Sequence, residues 1–168
     1  MLNSSPGVPR RRRTALYASA ASAAAAVTLS MVLLSAGSSG ATVAPGSPIA
    51  RAAIPALRTH MLQLARFNGD AHPASVSAVL TTRARALRAV EPGVTIPGSA
   101  RQGVYLVVMT GSFTDTHAPV PPGAKNPTGR YLAVTINPTT WQVMDLSLGN
   151  HRPAMPLSSL GPVSALIR

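Results

Sequence analysis

Not one of the 168 residues is a cysteine. That excludes structural disulfides, thiolate catalysis, cysteine metal sites and a lipid-modified cysteine anchor. Acids are scarce too: four Asp and Glu stand against fifteen Lys and Arg, a formal net charge of +11. Asp70, Glu91, Asp115 and Asp145 are the whole supply of carboxylate side chains, so a general acid–base pair has little to be built from. Aromatic residues make up 4% of the chain and do not interleave with the arginines. The combination of stacking and charge that marks binders of single-stranded nucleic acid is therefore missing, and nucleic acid is not an expected partner. His60, His72, His117 and His151 are dispersed without metal-ligand spacing. No nucleophile elbow, phosphate loop or dinucleotide fingerprint occurs. These absences argue against an enzyme and predict neither a metal nor a cofactor.

What is present begins with an address. Arg10, Arg11, Arg12 and Arg13 directly precede a stretch free of charge, residues 14–50. As a helix, residues 15–35 would span about 31 Å, enough for a hydrocarbon core of roughly 30 Å. Within it only residues 27–34 are strongly apolar, while residues 18–26 are alanine and serine. Two readings stay open. Small residues at Ser39-Gly40-Ala41 or Ser35-Ala36-Gly37 suit cleavage of a secretory signal, whereas the length suits an uncleaved anchor. Either way the arginines stay in the cytoplasm and the remainder is expected outside. Arg12-Arg13 also satisfies a twin-arginine pattern, which four arginines in a row match by chance.

Residues 1–44 are accordingly read as a basic n-region, signal or transmembrane anchor and tether, and residues 45–168 as one exported domain. The domain carries eleven basic and four acidic residues, a net charge of +7. Such a surface favours anionic partners such as lipid head groups or wall polymers. Lys125 is the only lysine beside abundant Ala, Arg, Gly and Pro, and a GC-rich genome would supply that arginine excess without any partner.

Hydrophobic periodicity places the elements. Residues 37–48 read as a flexible Ser/Gly/Ala/Pro tether. Ile54, Leu57, Met61 and Leu64 recur at helical spacing, predicting an amphipathic helix over residues 55–67 that stops at Asn68-Gly69. Residues 75–80 predict a strand. Thr81 or Thr82 is placed to cap a short helix over residues 83–90, ended by Pro92-Gly93. Residues 103–114 give the strongest strand signal, because Val104, Leu106 and Val108 alternate with Tyr105, Val107 and Met109, and both sets are apolar. Four prolines keep residues 115–129 irregular. A hairpin comes next, with strands over residues 130–136 and 141–148. Leu132, Val134 and Ile136 share a face, opposite either Val143 or, in a shifted register, Met144, Leu146 and Leu148. Residues 149–168, interrupted by proline, predict a turn against the sheet. The expected fold is α+β: a small antiparallel sheet of about four strands with helices on one face, preceded by an N-terminal hydrophobic helix.

Residues 103–108 and 131–137, continuing through Val143-Met144-Asp145-Leu146, resemble the strand and hairpin pattern of PepSY-type domains. Hairpins of that family commonly read V-x-V-D-x-x-T-G-x-V. Here Asn137 stands for the aspartate, and Trp141 falls where the glycine would be. The resemblance implies a small extracytoplasmic α+β module, often membrane-tethered and associated with protease propeptides. The chain is also similar to short secreted or membrane-anchored proteins of high-GC actinobacteria.

Three functions are expected from these features. The first is a non-enzymatic interaction module that contacts an envelope protein through its sheet and long loop. The second is electrostatic binding to anionic lipid or wall polymer, with Arg83, Arg85, Arg88, Arg101 and Arg130 as the candidate binding residues. The third and most remote is a small hydrolase, for which Asp115, His117 and a hydroxyl of Ser112 or Thr114 would have to converge.

Overall fold

A strand with apolar side chains on both faces needs a cover on each side, and the fold is built around one. The computed structural model describes residues 44–96 and 99–168. The arginine leader, the expected N-terminal hydrophobic helix and the two cleavage candidates lie outside these residues. All described residues belong to one compact unit, Ser38–Arg168. The elements run α1 (Ala53–Phe67), β1 (Ser75–Thr82), α2 (Arg83–Val90), β2 (Gly103–Thr114), β3 (Thr128–Ile136), β4 (Val143–Gly149), a 3-10 turn (Leu157–Ser159) and β5 (Val163–Ile167). The strands form one antiparallel sheet in the order β4-β3-β2-β1-β5. No described helix is long and apolar enough to cross a membrane.

The α+β expectation holds, with two corrections. There are five strands, not about four. The helices lie on opposite faces of the sheet, not on one. Leu57, Met61 and Ala65 of α1 pack with Val76, Ala78, Leu80, Tyr105, Val107, Met109, Leu132, Val134 and Ile136. Ala86 and Ala89 of α2 pack with Val79, Val104, Leu106, Val108 and Ala133 on the other side. Alternation along each strand sends successive side chains to opposite faces. The two apolar sets of β2 thus meet two different helices. Each fully buried Leu, Val or Met here stabilises the fold by about 1.5–3 kcal/mol.

Local chemistry sets the helix ends. Thr82 closes β1 and caps α2, its side-chain oxygen accepting from the Arg85 N–H at 3.3 Å. The chain therefore enters α2 without a loop. At the end of α1 the Asn68 side-chain amide donates to the Leu64 carbonyl at 2.8 Å, and Gly69 takes the left-handed conformation, φ +85°, that glycine adopts without strain.

β5 was not expected as a strand. Residues 163–167 are few, come directly after Pro162, and become a strand by pairing Val79 with Val163 and Val76 with Ile167 on the edge of β1. The expected tether also needs revision in its described part. Gly46 donates to the Leu80 carbonyl at 2.9 Å, and Ile49 is buried against the α1 side. Gly46 and Ile49 thus belong to the folded domain.

Three irregularities interrupt the pairing. In β5, Leu166 is the extra residue between the pairs Val76–Ile167 and Ser77–Ala165. In β4, Ile136 pairs with Val143 but Thr135 pairs with Asp145, which leaves Met144 as the extra residue. The phase of the strand flips there. Val143, Leu146 and Leu148 all fall opposite the buried row Ile136, Val134 and Leu132. Met144 packs against the α2 side. In β2, Gly111 and Ser112 stand opposite Arg130, between the pairs Thr110–Tyr131 and Phe113–Gly129. The Asp70 carboxylate fills this bulge: its Oδ2 accepts from the Ser112 N–H at 2.8 Å and its Oδ1 from the His72 N–H at 2.9 Å. A Cβ on Gly111 would lie 2.0 Å from Asp70 Oδ2.

Two stability outcomes are expected. Gly111→Ala should expel the Asp70 carboxylate and lower unfolding free energy by about 1–3 kcal/mol; a midpoint in urea equal to wild type would show that the carboxylate is dispensable. Thr81 is fully buried and its Oγ1 has no hydrogen-bond partner. Thr81→Val should raise stability by about 1 kcal/mol, and a destabilised variant would refute that reading.

Candidate functional site

The bulge at Met144 turns Asp145 toward α2. Arg83, the first residue of that helix, meets it with two hydrogen bonds: Nε to Oδ2 at 2.9 Å and Nη2 to Oδ1 at 2.6 Å. The Thr135 hydroxyl donates to the same Oδ2. The two charged side chains are 14% and 24% exposed, so the pair is partly shielded and stronger than a surface pair. The Arg83 hydrogen bonds hold the Asp145 carboxyl below its ordinary pKa, and Asp145 in turn raises Arg83. This pair pins the start of α2 to β4 across the sheet.

Beside it, on the α2 side, lies an open groove of about 250 Å3. Tyr131 and Ala133 of β3 and Ser147 to Gly149 of β4 line it, together with Val90 and Glu91 at the end of α2 and residues 150–153. The Ser147 hydroxyl donates to Glu91 Oε1 at 2.6 Å, and Arg152 Nε donates to the Tyr131 hydroxyl at 3.2 Å. That contact raises the Arg152 pKa. Glu91 and Arg152, each hydrogen-bonded to a neutral hydroxyl, thus face a partly apolar floor, with His151 also on the lining. The arrangement can orient a polar ligand through the Ser147–Glu91 and Arg152–Tyr131 hydrogen bonds.

The outer edge of β4 adjoins this groove. Among the described residues no backbone group pairs with that edge. Val143 and Leu146 are 40% and 41% exposed.

The five arginine candidates divide three ways. Arg83 is engaged by Asp145. Arg85, Arg88 and Arg101 are exposed around α2: Arg85 and Arg88 lie three residues apart on the helix, and Arg101 is brought alongside by the bond from the Ala84 N–H to the Ala100 carbonyl at 3.0 Å. Arg85 Nη2 also donates to the Ser159 carbonyl at 2.7 Å. Arg130 is exposed opposite the β2 bulge, at the other end of the sheet from the Arg83–Asp145 pair.

Asp115 and His117 meet only as a turn, the His117 backbone N–H donating to Asp115 Oδ1 at 3.0 Å. The His117 ring stacks flat on Phe67, with centroids 4.4 Å apart and planes within 2°. No hydrogen bond links that ring to Asp115, Ser112 or Thr114. His60 is half-buried on α1, and desolvation lowers its pKa. Among the described residues no group of three or more His, Asp or Glu is placed to hold a metal ion.

At the hairpin, Trp141 takes φ +60°, the left-handed region that costs a bulky residue about 1–3 kcal/mol. Its ring packs on the α1-side core, 6.0 Å from Tyr105, and Asn137 Oδ1 holds the turn by accepting from the Thr139 and Thr140 N–H groups.

No family model matches the chain, and neither a curated protein nor a solved structure shows significant similarity to it. The groove residues Tyr131, Glu91, Ser147 and Arg152 carry no signal in the sequence because they come from four separate segments. The Arg83–Asp145 pair had a faint signal, since Asp145 is the one acid placed inside a strand.

The pair predicts a pH dependence. Asp145 has a depressed folded pKa, so its contribution is fully present above the unfolded value of about 3.9 and is lost as pH falls through the folded value. Asp145→Asn should cost about 1–3 kcal/mol at neutral pH, and that gap should shrink as the medium is acidified below about pH 4. A difference between the variant and wild type that stays constant with pH would refute it.

Proposed function

We propose that residues from about 45 onward form an extracytoplasmic, non-enzymatic interaction module that is secreted or held at the membrane by its N-terminal segment, and that docks an envelope protein along β4. The observation that carries this reading is the open edge. β4 has neither lysine nor proline, and its bulge and inward-turned Asp145 protect only its first half. From Leu146 to Gly149 the backbone is regular, unpaired on the outside and flanked by an exposed leucine. Edges of this kind are met by strand addition in many recognition domains.

The address rests on Arg10 to Arg13 before an uncharged stretch. The hairpin resemblance to PepSY-type domains supports the same location and architecture. The left-handed conformation at Trp141 is the one that a glycine at that motif position would supply without strain.

A second reading, binding to an anionic lipid or wall polymer, is favoured by one observation: Arg85, Arg88 and Arg101 gather around α2. Its mark would be retention on anionic vesicles that disappears at high salt.

The first reading makes a two-part prediction. A C-terminal reporter active only after export should be active, and a cytoplasm-only reporter silent; the reverse overturns the address. Crosslinking in intact envelopes should recover a protein adduct that Leu146→Lys abolishes, while the variant's stability stays within about 0.5 kcal/mol of wild type. An adduct unaffected by Leu146→Lys, or none at all, overturns docking along β4.

A further inference from the structure

We infer that the segment taken by β4 is an extended polypeptide bearing acidic side chains, one of which is received by the groove beside Arg152. This rests on the docking reading above and adds the chemistry of the partner. A strand laid against Leu146 to Gly149 would pair with the outward N–H and C=O groups of that edge, and directly opposed residues of neighbouring strands share a face. A partner residue opposite Ser147 therefore projects to the α2 side. That is where the groove lies, floored by Ala133 and Tyr131.

Charge selects what enters. Arg152 is exposed, and its hydrogen-bond partner is the neutral Tyr131 hydroxyl; the only ion pair among the described residues is Arg83–Asp145. The Arg152 charge is thus uncompensated. Its loop reaches α2 through the bond from the Met155 N–H to the Ala89 carbonyl, and α2 adds the exposed Arg85 and Arg88. Glu91, the acid on the groove, accepts from the Ser147 hydroxyl. It opposes a second carboxylate close to α2, so the acidic group belongs on the Arg152 side. A carboxylate there can take the guanidinium N–H groups that Tyr131 leaves open.

The test titrates the full chain with a terminally blocked peptide alternating valine and glutamate, beside its valine–glutamine counterpart, and follows affinity and amide hydrogen exchange in β4. The glutamate peptide should bind and slow exchange of β4 amides. Its affinity should fall about three- to fivefold with Arg152→Gln and rise about as much with Glu91→Gln, with little change for the glutamine peptide. Equal affinity for the two peptides, with β4 protected, would overturn the acidic preference and leave the docking reading standing. Absence of β4 protection with either peptide would overturn both. Salt-sensitive binding to phosphatidylglycerol vesicles without peptide binding would overturn both and favour the lipid surface.

Discussion

Everything in this domain is arranged around the double apolarity of β2. Val104, Leu106 and Val108 face one way and Tyr105, Val107 and Met109 the other, all nine-tenths buried or more. With no disulfide possible, removing both rows from water is the main source of stability. One row takes α1 as its cover and the other takes α2. Neighbouring strands on either side complete the backbone pairing that a buried strand cannot leave open. The outer strands inherit what remains: β5 short and beside β1, β4 longer and open to solvent on one edge.

The chemistry that is left after this packing sits at the β4 side of the sheet. Acids are so few that the use of each can be followed. Asp70 fills the β2 bulge, Asp115 closes a turn, Asp145 anchors α2 through Arg83, and Glu91 meets Ser147 at the groove. Three of the four thus hold backbone or helix in place. The neighbourhood of Glu91, with Tyr131 and Arg152, combines an open volume, polar groups and the free edge of β4.

The hairpin shows how one residue decides a face. Two registers for β4 were open, one placing Val143 beside the core row and the other placing Met144, Leu146 and Leu148 there. The bulge at Met144 combines parts of both: Val143, Leu146 and Leu148 meet the core row, while Met144 turns to the α2 side, because an added residue reverses the alternation. The same reversal brings Asp145 to the α2 side, where Arg83 and Thr135 meet it. At Trp141 a strained backbone is retained beside a ring packed on Tyr105. Burial of that ring area is the gain that offsets the strain.

The sequence by itself determined the elements whose signal is local. Leu57 and Met61 at helical spacing, Thr82 before Arg83, the alternating valines of β2 and the prolines of residues 115–127 each act within a few residues, so periodicity and caps read them directly. It also carried the basic charge and the absence of cysteine. Both-sided apolarity in β2 already implied two covers, which the expectation of helices on one face overlooked. Tertiary structure alone decided the rest. β5 is a strand only because β1 offers it an edge; the bulges exist only in pairing; the groove is assembled from β3, β4, α2 and the loop after β4. Long-range contacts of this kind leave no trace in spacing, since the residues that meet are chosen by how the sheet closes and not by their distance along the chain.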